Sequence, residues 1–158
     1  MIWFNIVAGL ASLLGVWFSF WAWKRARRAS EAAEEARDAV TIRTLADEFQ
    51  LACERADQLL DFVQHDRIPA AALRAQELAS ALSEIPYRRG SHLDETRQSE
   101  LLNARTQLQE IYVTLASSPK TLTTDQKKRF IEICFYVCAS LRKNLGIIKG
   151  EIDTGAKQ

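Results

Sequence analysis

The chain offers few side chains that could serve as acids, bases or nucleophiles. It has two histidines and three cysteines in 158 residues, and we expect His65 and His92 to lie in or beside surface loops. A glycine-rich phosphate loop, an HExxH or GxSxG motif and a catalytic pair of carboxylates are all missing from the sequence. The sequence therefore predicts no catalytic residues, and the protein is not expected to be an enzyme.

The cysteines fall in apolar helical contexts. Cys134 and Cys138 are one helical turn apart, but no second ligand pair with zinc spacing accompanies them. An odd number of thiols also gives no disulfide framework. We expect Cys53, Cys134 and Cys138 to be reduced core residues, with no metal and no cofactor.

One basic run could bind an anion at the start of a predicted helix. Basic side chains and free backbone amides together can hold a phosphate group or a nucleic-acid backbone. A solvated charged surface is the alternative explanation. The possible anion-binding residues are Lys120, Lys127, Lys128 and Arg129.

The strongest pattern lies at the beginning of the sequence. Residues 2–23 hold no charged side chain and all four tryptophans. As a helix they would extend about 33 Å, enough to cross a hydrocarbon core of about 30 Å. Basic residues follow directly, which predicts a single-pass protein of the inner membrane with its C-terminal domain in the cytoplasm. The basic residues expected at the lipid surface are Lys24, Arg25, Arg27, Arg28, Arg88 and Arg89.

Small and polar residues recur through this segment at alternating spacings of three and four. Such a seven-residue repeat favours close packing of helices in a left-handed supercoil. It predicts one unbroken helix and a homo-oligomer, with the repeat either packed dry or lining a pore, unless the small residues have no role. We call this repeat the seam; its residues are Asn5, Ala8, Ser12, Gly15, Ser19 and Ala22, continued by Ala26, Ala29, Ala33 and Ala36.

The rest of the chain shows apolar residues at helical spacing and no convincing alternation with period two. Helix stops are predicted at residues 66–69, at Pro86 with a loop over residues 87–90, and at residues 117–119. Capping boxes are predicted at Ser91 with Asp94 and at Thr123 with Gln126. The predicted core stripes are Ile42, Leu45, Phe49, Ala52, Ala56, Leu59 and Val63; Ala71, Ala75, Leu78, Leu82 and Ile85; Leu93, Arg97, Leu101, Ala104, Leu108, Ile111 and Leu115; and Phe130, Cys134, Val137, Leu141, Leu145 and Ile148.

These elements predict an all-α protein in which an N-terminal transmembrane helix continues into a cytoplasmic antiparallel helical bundle. Residues 1–23 are the transmembrane helix and residues 24–40 a basic, alanine- and glutamate-rich helical stalk. Residues 41–149 form the four-helix bundle, and residues 150–158 a polar tail.

This organisation resembles the small membrane protein that accompanies RNA-targeting type VI-B CRISPR nucleases. The resemblance is architectural and covers the whole chain. It implies a ring-shaped pore, a HEPN-like helical domain and a role in antiphage defence. The HEPN nuclease signature, an arginine followed by four to six residues and a histidine, has no match, because Arg88 and Arg89 are too close to His92 and Arg55 is too far from His65.

Three functions are therefore considered. The first is a homo-oligomeric membrane effector or pore, whose bundle senses a cytoplasmic protein, a nucleotide or a nucleic acid. The second is a membrane-tethered interaction module that recruits a cytoplasmic partner without forming a pore. The third is a degenerate HEPN-type nuclease. In the first two the partners are the lipid bilayer and further copies of the chain.

Overall fold

The computed structural model describes the backbone of residues 2–89, 93–117 and 121–155 and the side chains of residues 15–87, 93–117 and 121–154. This part of the chain forms four helices and no strand: α1 (Ile2–Gln64), α2 (Ile68–Arg89), α3 (Glu95–Ser117) and α4 (Thr124–Gly155). The predicted all-α class is confirmed. The chain divides into two compact units, Met1–Thr41 and Ile42–Gln158.

The structure corrects the prediction of a transmembrane helix. Over the residues that the structure describes, none of the helices combines the length and hydropathy that a membrane crossing requires. The span at residues 2–23 is therefore wrong, and so is the single-pass inner-membrane location with a cytoplasmic C-terminal domain.

The unit Ile42–Gln158 is a helical bundle around one hydrophobic core. Every residue of the predicted core stripes is buried except Ile42, Arg97 and Leu145, which are partly exposed. The apolar residues face one another because each helix presents one stripe at a spacing of three and four. Among the described residues, the largest fully buried side chain is that of Phe49, followed by leucines and by Ile111 and Ile148.

Ion pairs show that neighbouring helices of the bundle run antiparallel. Asp66 and Asp57 of α1 contact Lys127 and Arg142 of α4, so residue numbers rise along one helix as they fall along the other. The pairs between α3 and α4 follow the same rule: Glu110 with Arg129, Glu100 with Lys143, and Arg97 with Glu151. Short connections between consecutive helices are typical of this arrangement.

A left-handed residue ends α1 where the sequence predicts a stop. Asp66 has a φ of 55°. Its N–H donates to the carbonyl of Val63 at 3.4 Å, and the N–H of Arg67 donates to the carbonyl of Phe62 at 2.8 Å. This pair of bonds is a Schellman motif, which satisfies two of the last carbonyls of the helix. The chain thereby reverses direction and enters α2.

Side-chain caps begin the last two helices. The N–H of Gln126 donates to Thr123 Oγ1 at 3.2 Å, and the N–H of Thr123 donates to Gln126 Oε1 at 3.0 Å, which confirms the second capping box. At α3 the N–H of Arg97 donates to Asp94 Oδ1 at 2.7 Å, so Asp94 is the cap. Ser91, the cap predicted there, lies outside the described residues.

Two predicted helix ends are wrong. Pro86 lies inside α2, which continues to Arg89, so the loop predicted at residues 87–90 is helical up to Arg89. Only one backbone hydrogen bond is lost at a proline, and Ile85 and the residues before it anchor the helix in the core. The last helix, α4, also ends later than predicted, since it runs to Gly155 through most of the predicted polar tail.

Candidate functional site

The unit Met1–Thr41 presents a segment with large apolar side chains exposed to solvent. Val16, Trp17, Phe18, Phe20, Trp21 and Trp23 are each between 56% and 69% exposed. These six large side chains lie within eight residues of one helix and point in every direction except that of Ser19 and Ala22. We call residues 16–23 the aromatic segment. Folded monomers rarely leave an apolar surface of this kind uncovered, so it indicates a binding surface.

The basic residues that follow the aromatic segment are exposed as well. Lys24, Arg25, Arg27 and Arg28 occupy little more than one turn. Arg27 Cζ lies 5.8 Å from the centroid of the Trp23 ring, within range of a cation–π contact. Its Nε donates to Glu31 Oε1 at 3.0 Å, so one of the cations is held beside the aromatic ring.

Only part of the predicted seam can be located. Gly15, Ser19 and Ala22 are exposed on α1, and so are the alanines that continue the repeat. The side chains of Asn5, Ala8 and Ser12 lie outside the described residues, as do those of Arg88 and Arg89. An exposed seam leaves α1 free to pack against a second helix, and whether it does so stays a prediction.

The predicted anion-binding run is partly neutralised by carboxylates. Lys127 Nζ donates to Asp66 Oδ2 at 2.7 Å, and Arg129 Nη2 lies 2.6 Å from Glu110 Oε1. These contacts hold α4 against α1 and α3. Lys128 is exposed, and Lys120 lies outside the described residues. Carboxylates therefore pair with two of the four cations, and an anion site there stays a prediction.

His65 and the cysteines lie where the sequence places them. His65 is in the exposed turn after α1, with Nδ1 2.9 Å from the carbonyl oxygen of Asp61; His92 lies outside the described residues. All three cysteines are buried and unbridged. Among the described side chains, no group of three His, Cys, Asp or Glu residues could hold a metal ion.

Burial controls the chemistry of the thiols. Desolvation raises the pKa of Cys134 to about 12, and desolvation together with the carboxylate of Asp57 raises the pKa of Cys138 to about 12. Burial also raises the pKa of Cys53. A thiol that keeps its proton is a poor nucleophile and a poor metal ligand, so these residues act as core side chains.

An ion pair joins α1 to α4 beside these thiols. Arg142 Nη2 lies 2.8 Å from each carboxylate oxygen of Asp57, and Cys138 Sγ donates to Asp57 Oδ1 at 3.5 Å. The hydrogen bond that Arg142 donates to Asp57 raises the pKa of Arg142, which is already charged at neutral pH. Because both charged side chains are about half exposed or more, this pair positions the helices and contributes little stability.

A second polar cluster lies between α3 and α4. Glu100 Oε1 accepts from Lys143 Nζ at 2.9 Å, and Glu100 Oε2 accepts from Asn144 Nδ2 at 3.4 Å. The hydrogen bond from Lys143 lowers the pKa of Glu100. Asn144 is fully buried, and its Nδ2 also donates to the carbonyl of Ser140 at 2.9 Å.

Two buried atoms of this cluster, Ser140 Oγ and Asn144 Oδ1, make no hydrogen bond within the described part of the protein. Ser140 also lines a depression of about 210 Å³ on the surface. We call this depression the α3–α4 pocket; it is lined by Glu100, Tyr136, Ala139, Ser140 and Lys143.

A larger depression, of about 520 Å³, lies along α3. All of its lining residues come from that one helix, so no second element brings polar groups toward a common point. Ligand sites need such convergence, and this depression is a less suitable site than the α3–α4 pocket. Its lining residues are Arg105, Thr106, Gln109, Glu110, Val113 and Thr114.

Sequence reasoning missed the α3–α4 cluster although the pattern contained a signal for it. Asn144 lies seven residues after Val137 and four before Ile148, on the buried stripe of α4. The apolar pattern predicts that Leu145 lies in the core, but the structure buries Asn144 completely and Leu145 only partly. A polar residue on a core stripe is expensive unless it is paired, and it marks a place to examine.

Comparison with protein-family models, with characterised proteins and with solved structures finds no match for this chain. The resemblance to the membrane protein of type VI-B CRISPR systems therefore stays a prediction.

Proposed function

We propose that the protein is a non-enzymatic, homo-oligomeric interaction protein whose copies associate along α1 within the unit Met1–Thr41. The observation that carries this proposal is the exposure of the aromatic segment, whose six large apolar side chains are between 56% and 69% exposed in a single copy. A helix that exposes this many large apolar side chains is normally covered by another apolar surface.

The seam supplies the contact between copies. Small residues let two helix backbones approach closely, and their repeat of seven keeps the same face toward the partner over several turns. The exposed alanines at Ala26, Ala29 and Ala33 extend this face into a region of strong helix formers. A helix that makes few contacts with its own chain gains stability from such an association.

The bundle is the second half of the proposal. Its exposed apolar residues, which include Phe135, Leu73 and Val113, provide surfaces on which a further protein can dock. In this account the association of α1 gathers several bundles, and avidity strengthens the binding of a partner that contacts more than one of them. A pore would require helices that cross a bilayer, so it is not part of this proposal.

The mass of the protein in solution tests the association. Light scattering of the full chain at micromolar concentration should give a multiple of 17.9 kDa. Ala29→Glu places a charge on the seam and should reduce the mass to that of one chain. Ala32→Glu is the matched control, since it adds the same charge at an exposed alanine off the seam, and it should leave the mass unchanged.

Two results would contradict the proposal. One is a wild-type protein that is monomeric at all concentrations tested. The other is an equal loss of mass in Ala29→Glu and Ala32→Glu, which would show that the charge acts without regard to the seam.

A second candidate is peripheral contact with an anionic lipid surface. It is favoured by the four exposed cations that follow the aromatic segment directly. Basic residues near an anionic surface contribute about 1 kcal/mol each. Flotation with vesicles should then show binding to anionic lipid and not to neutral lipid, reduced about tenfold or more by a Lys24→Gln, Arg25→Gln double substitution. Equal flotation with neutral vesicles would exclude this candidate.

A further inference from the structure

We infer that α4 carries a contact surface for a second copy of this chain, and that the two copies pair antiparallel along it. We call this surface the α4 stripe; its residues are Lys128, Glu132, Phe135, Ala139, Arg142, Gly146, Lys149 and Asp153, and each of them is exposed. The inference goes beyond the association along α1 and is independent of it, because it uses residues of the bundle alone.

The first argument is the spacing of the α4 stripe. Its residues follow one another at intervals of four and three from Lys128 to Asp153, which keeps them on one face of a helix over about 38 Å. Two helices that pack along their length need a face of this kind. The buried residues of α4 lie on a different side of the helix, so the core of the bundle does not use the stripe.

The second argument is the order of charges. Lys128 and Glu132 begin the stripe, and Lys149 and Asp153 end it. In an antiparallel pair centred between residues 140 and 141, Lys128 lies level with Asp153 of the second copy, and Glu132 lies level with its Lys149. Symmetry repeats both contacts, so four opposite-charge pairs form. A parallel pair would place each charge beside its own like, which is unfavourable. The charges therefore select the antiparallel arrangement.

The third argument is shape at the middle of the stripe. In the same register Phe135 lies level with Gly146 of the second copy. The ring of Phe135 is 56% exposed in a single copy. A Cβ at Gly146 would meet nothing within 4 Å in the described part of the chain, so packing within one copy does not require glycine there. Glycine destabilises the interior of a helix relative to alanine, whereas its missing side chain lets a ring from a second helix approach the backbone.

The remaining pair of the register is also compatible with close contact. Ala139 lies level with Arg142 of the second copy, and its small side chain leaves room for the long stem of the arginine. The guanidinium group of Arg142 stays paired with Asp57 of its own chain. No charge of the stripe is therefore buried without a partner of opposite sign.

The contact is weak because it is small. One face of one helix buries less than the standard interface of roughly 1,600 Å², and exposed ion pairs contribute little. We expect a Kd of about 1 mM. Copies at micromolar concentration therefore do not pair through the α4 stripe, and the contact becomes important where copies are gathered at high local concentration.

Cysteine cross-linking of the full-length protein tests the register. Positions 132 and 149 lie beside each other in the antiparallel pair, whereas each lies about 26 Å along the axis from the same position of the second copy. Glu132→Cys and Lys149→Cys are made separately, each with Ala29→Glu to remove contact along α1, and one carries an affinity tag. Under mild oxidation at about 1 mM protein the mixture should form a disulfide-linked heterodimer. Each variant alone should stay mostly monomeric.

Charge reversal tests the ion pairs by sedimentation equilibrium of the full chain with Ala29→Glu. Glu132→Lys should raise the Kd about tenfold or more, because it places like charges together twice in each pair. Adding Lys149→Glu restores opposite charges and should return the Kd to its original value. Glu54→Lys is the matched control, since it makes the same charge change at an exposed position of α1, and it should leave the Kd unchanged. Circular dichroism checks that each variant is folded.

Several outcomes would overturn the inference. Absence of self-association of the folded protein at about 2 mM is one, since the expected Kd is lower. Cross-linking of Glu132→Cys alone as readily as in the mixture would show a parallel or unspecific contact. Equal weakening by Glu54→Lys, or no recovery in the double reversal, would show that net charge is the cause. None of these results bears on the mass at micromolar concentration, so this inference and the association along α1 can fail separately.

Discussion

Asp66 has a left-handed φ of 55°, a conformation that glycine, asparagine and aspartate tolerate better than alanine does. We predict that Asp66→Ala lowers the free energy of unfolding by about 1 kcal/mol relative to Asp66→Asn. Both variants lose the ion pair with Lys127, so their difference reports on the backbone alone. Urea unfolding of the two proteins measures it, and equal midpoints would mean that this turn is not left-handed.

The buried thiols make stability depend on alkaline pH. In the folded protein the thiols of Cys134 and Cys138 have a pKa of about 12, whereas thiols of the unfolded chain have a pKa of about 8.5. Between these values the unfolded chain binds fewer protons, so the free energy of unfolding falls as the pH rises, by about 1.4 kcal/mol per pH unit for each thiol.

Replacing one thiol isolates this effect from the other groups that titrate at alkaline pH. In Cys134→Ala the free energy of unfolding should fall less steeply with pH, by about the contribution of one thiol. Urea unfolding between about pH 8.5 and pH 10.5 measures this slope. Its lower stability at neutral pH, caused by lost packing, does not affect the slope. Parallel slopes for the wild type and Cys134→Ala would show that the Cys134 thiol ionises as readily in the folded protein as in the unfolded chain.

At the scale of the helix, Pro86 is the clearest conflict between local chemistry and fold. A proline lacks the N–H that would bond to the carbonyl four residues earlier, yet α2 continues through it. We predict that Pro86→Ala raises the free energy of unfolding by about 1 kcal/mol, since alanine restores the bond and the greater freedom of the unfolded chain offsets part of the gain. Ser80→Ala, on an exposed turn of the same helix, is the control and should change it by less than about 0.5 kcal/mol.

The opposite result for Pro86→Ala would be informative. A lower stability would indicate that the last residues of α2 need the restricted backbone of proline, as a loop over residues 87–89 would. Thermal unfolding monitored by circular dichroism suits the comparison, because helix content and stability are read from the same experiment.

Periodicity predicts the helices of the bundle and most of their buried faces, because burial on a helix follows directly from spacings of three and four. The capping box at Thr123 is also readable, since both of its bonds are local. The helical position of Pro86 and the burial of Asn144 are not predicted from the sequence, for a shared reason. In each case contacts made by the rest of the helix outweigh the preference of one residue, and such contacts cannot be read from spacing alone.

The candidate sites differ in how far the sequence reveals them. The aromatic segment and its cations are contiguous, so composition is enough to find them. The α3–α4 pocket joins Glu100 to residues about forty positions away, and only the antiparallel packing of α3 and α4 brings them together. Lys127 and Arg129 are also contiguous, but packing places carboxylates from other helices beside them, and the sequence alone does not reveal these partners.

At the scale of the whole molecule, the two units differ in how much apolar surface they bury. The unit Met1–Thr41 exposes large apolar side chains, whereas Ile42–Gln158 has a closed core of its own. Substitutions in the seam should therefore change the mass of the assembly without changing the unfolding of the bundle. The reverse should hold for substitutions in the core.

Disulfide cross-linking along the seam shows whether copies of the chain associate through this face of α1. Ala33 lies on the seam and Ala32 beside it, and both are exposed on α1. The native cysteines do not compete, because each is buried and at most 8% exposed. Under mild oxidation Ala33→Cys should form a covalent dimer rapidly, and Ala32→Cys should stay mostly monomeric on a non-reducing gel. Equal cross-linking of the two variants, or none in either, would contradict association of the copies along this face.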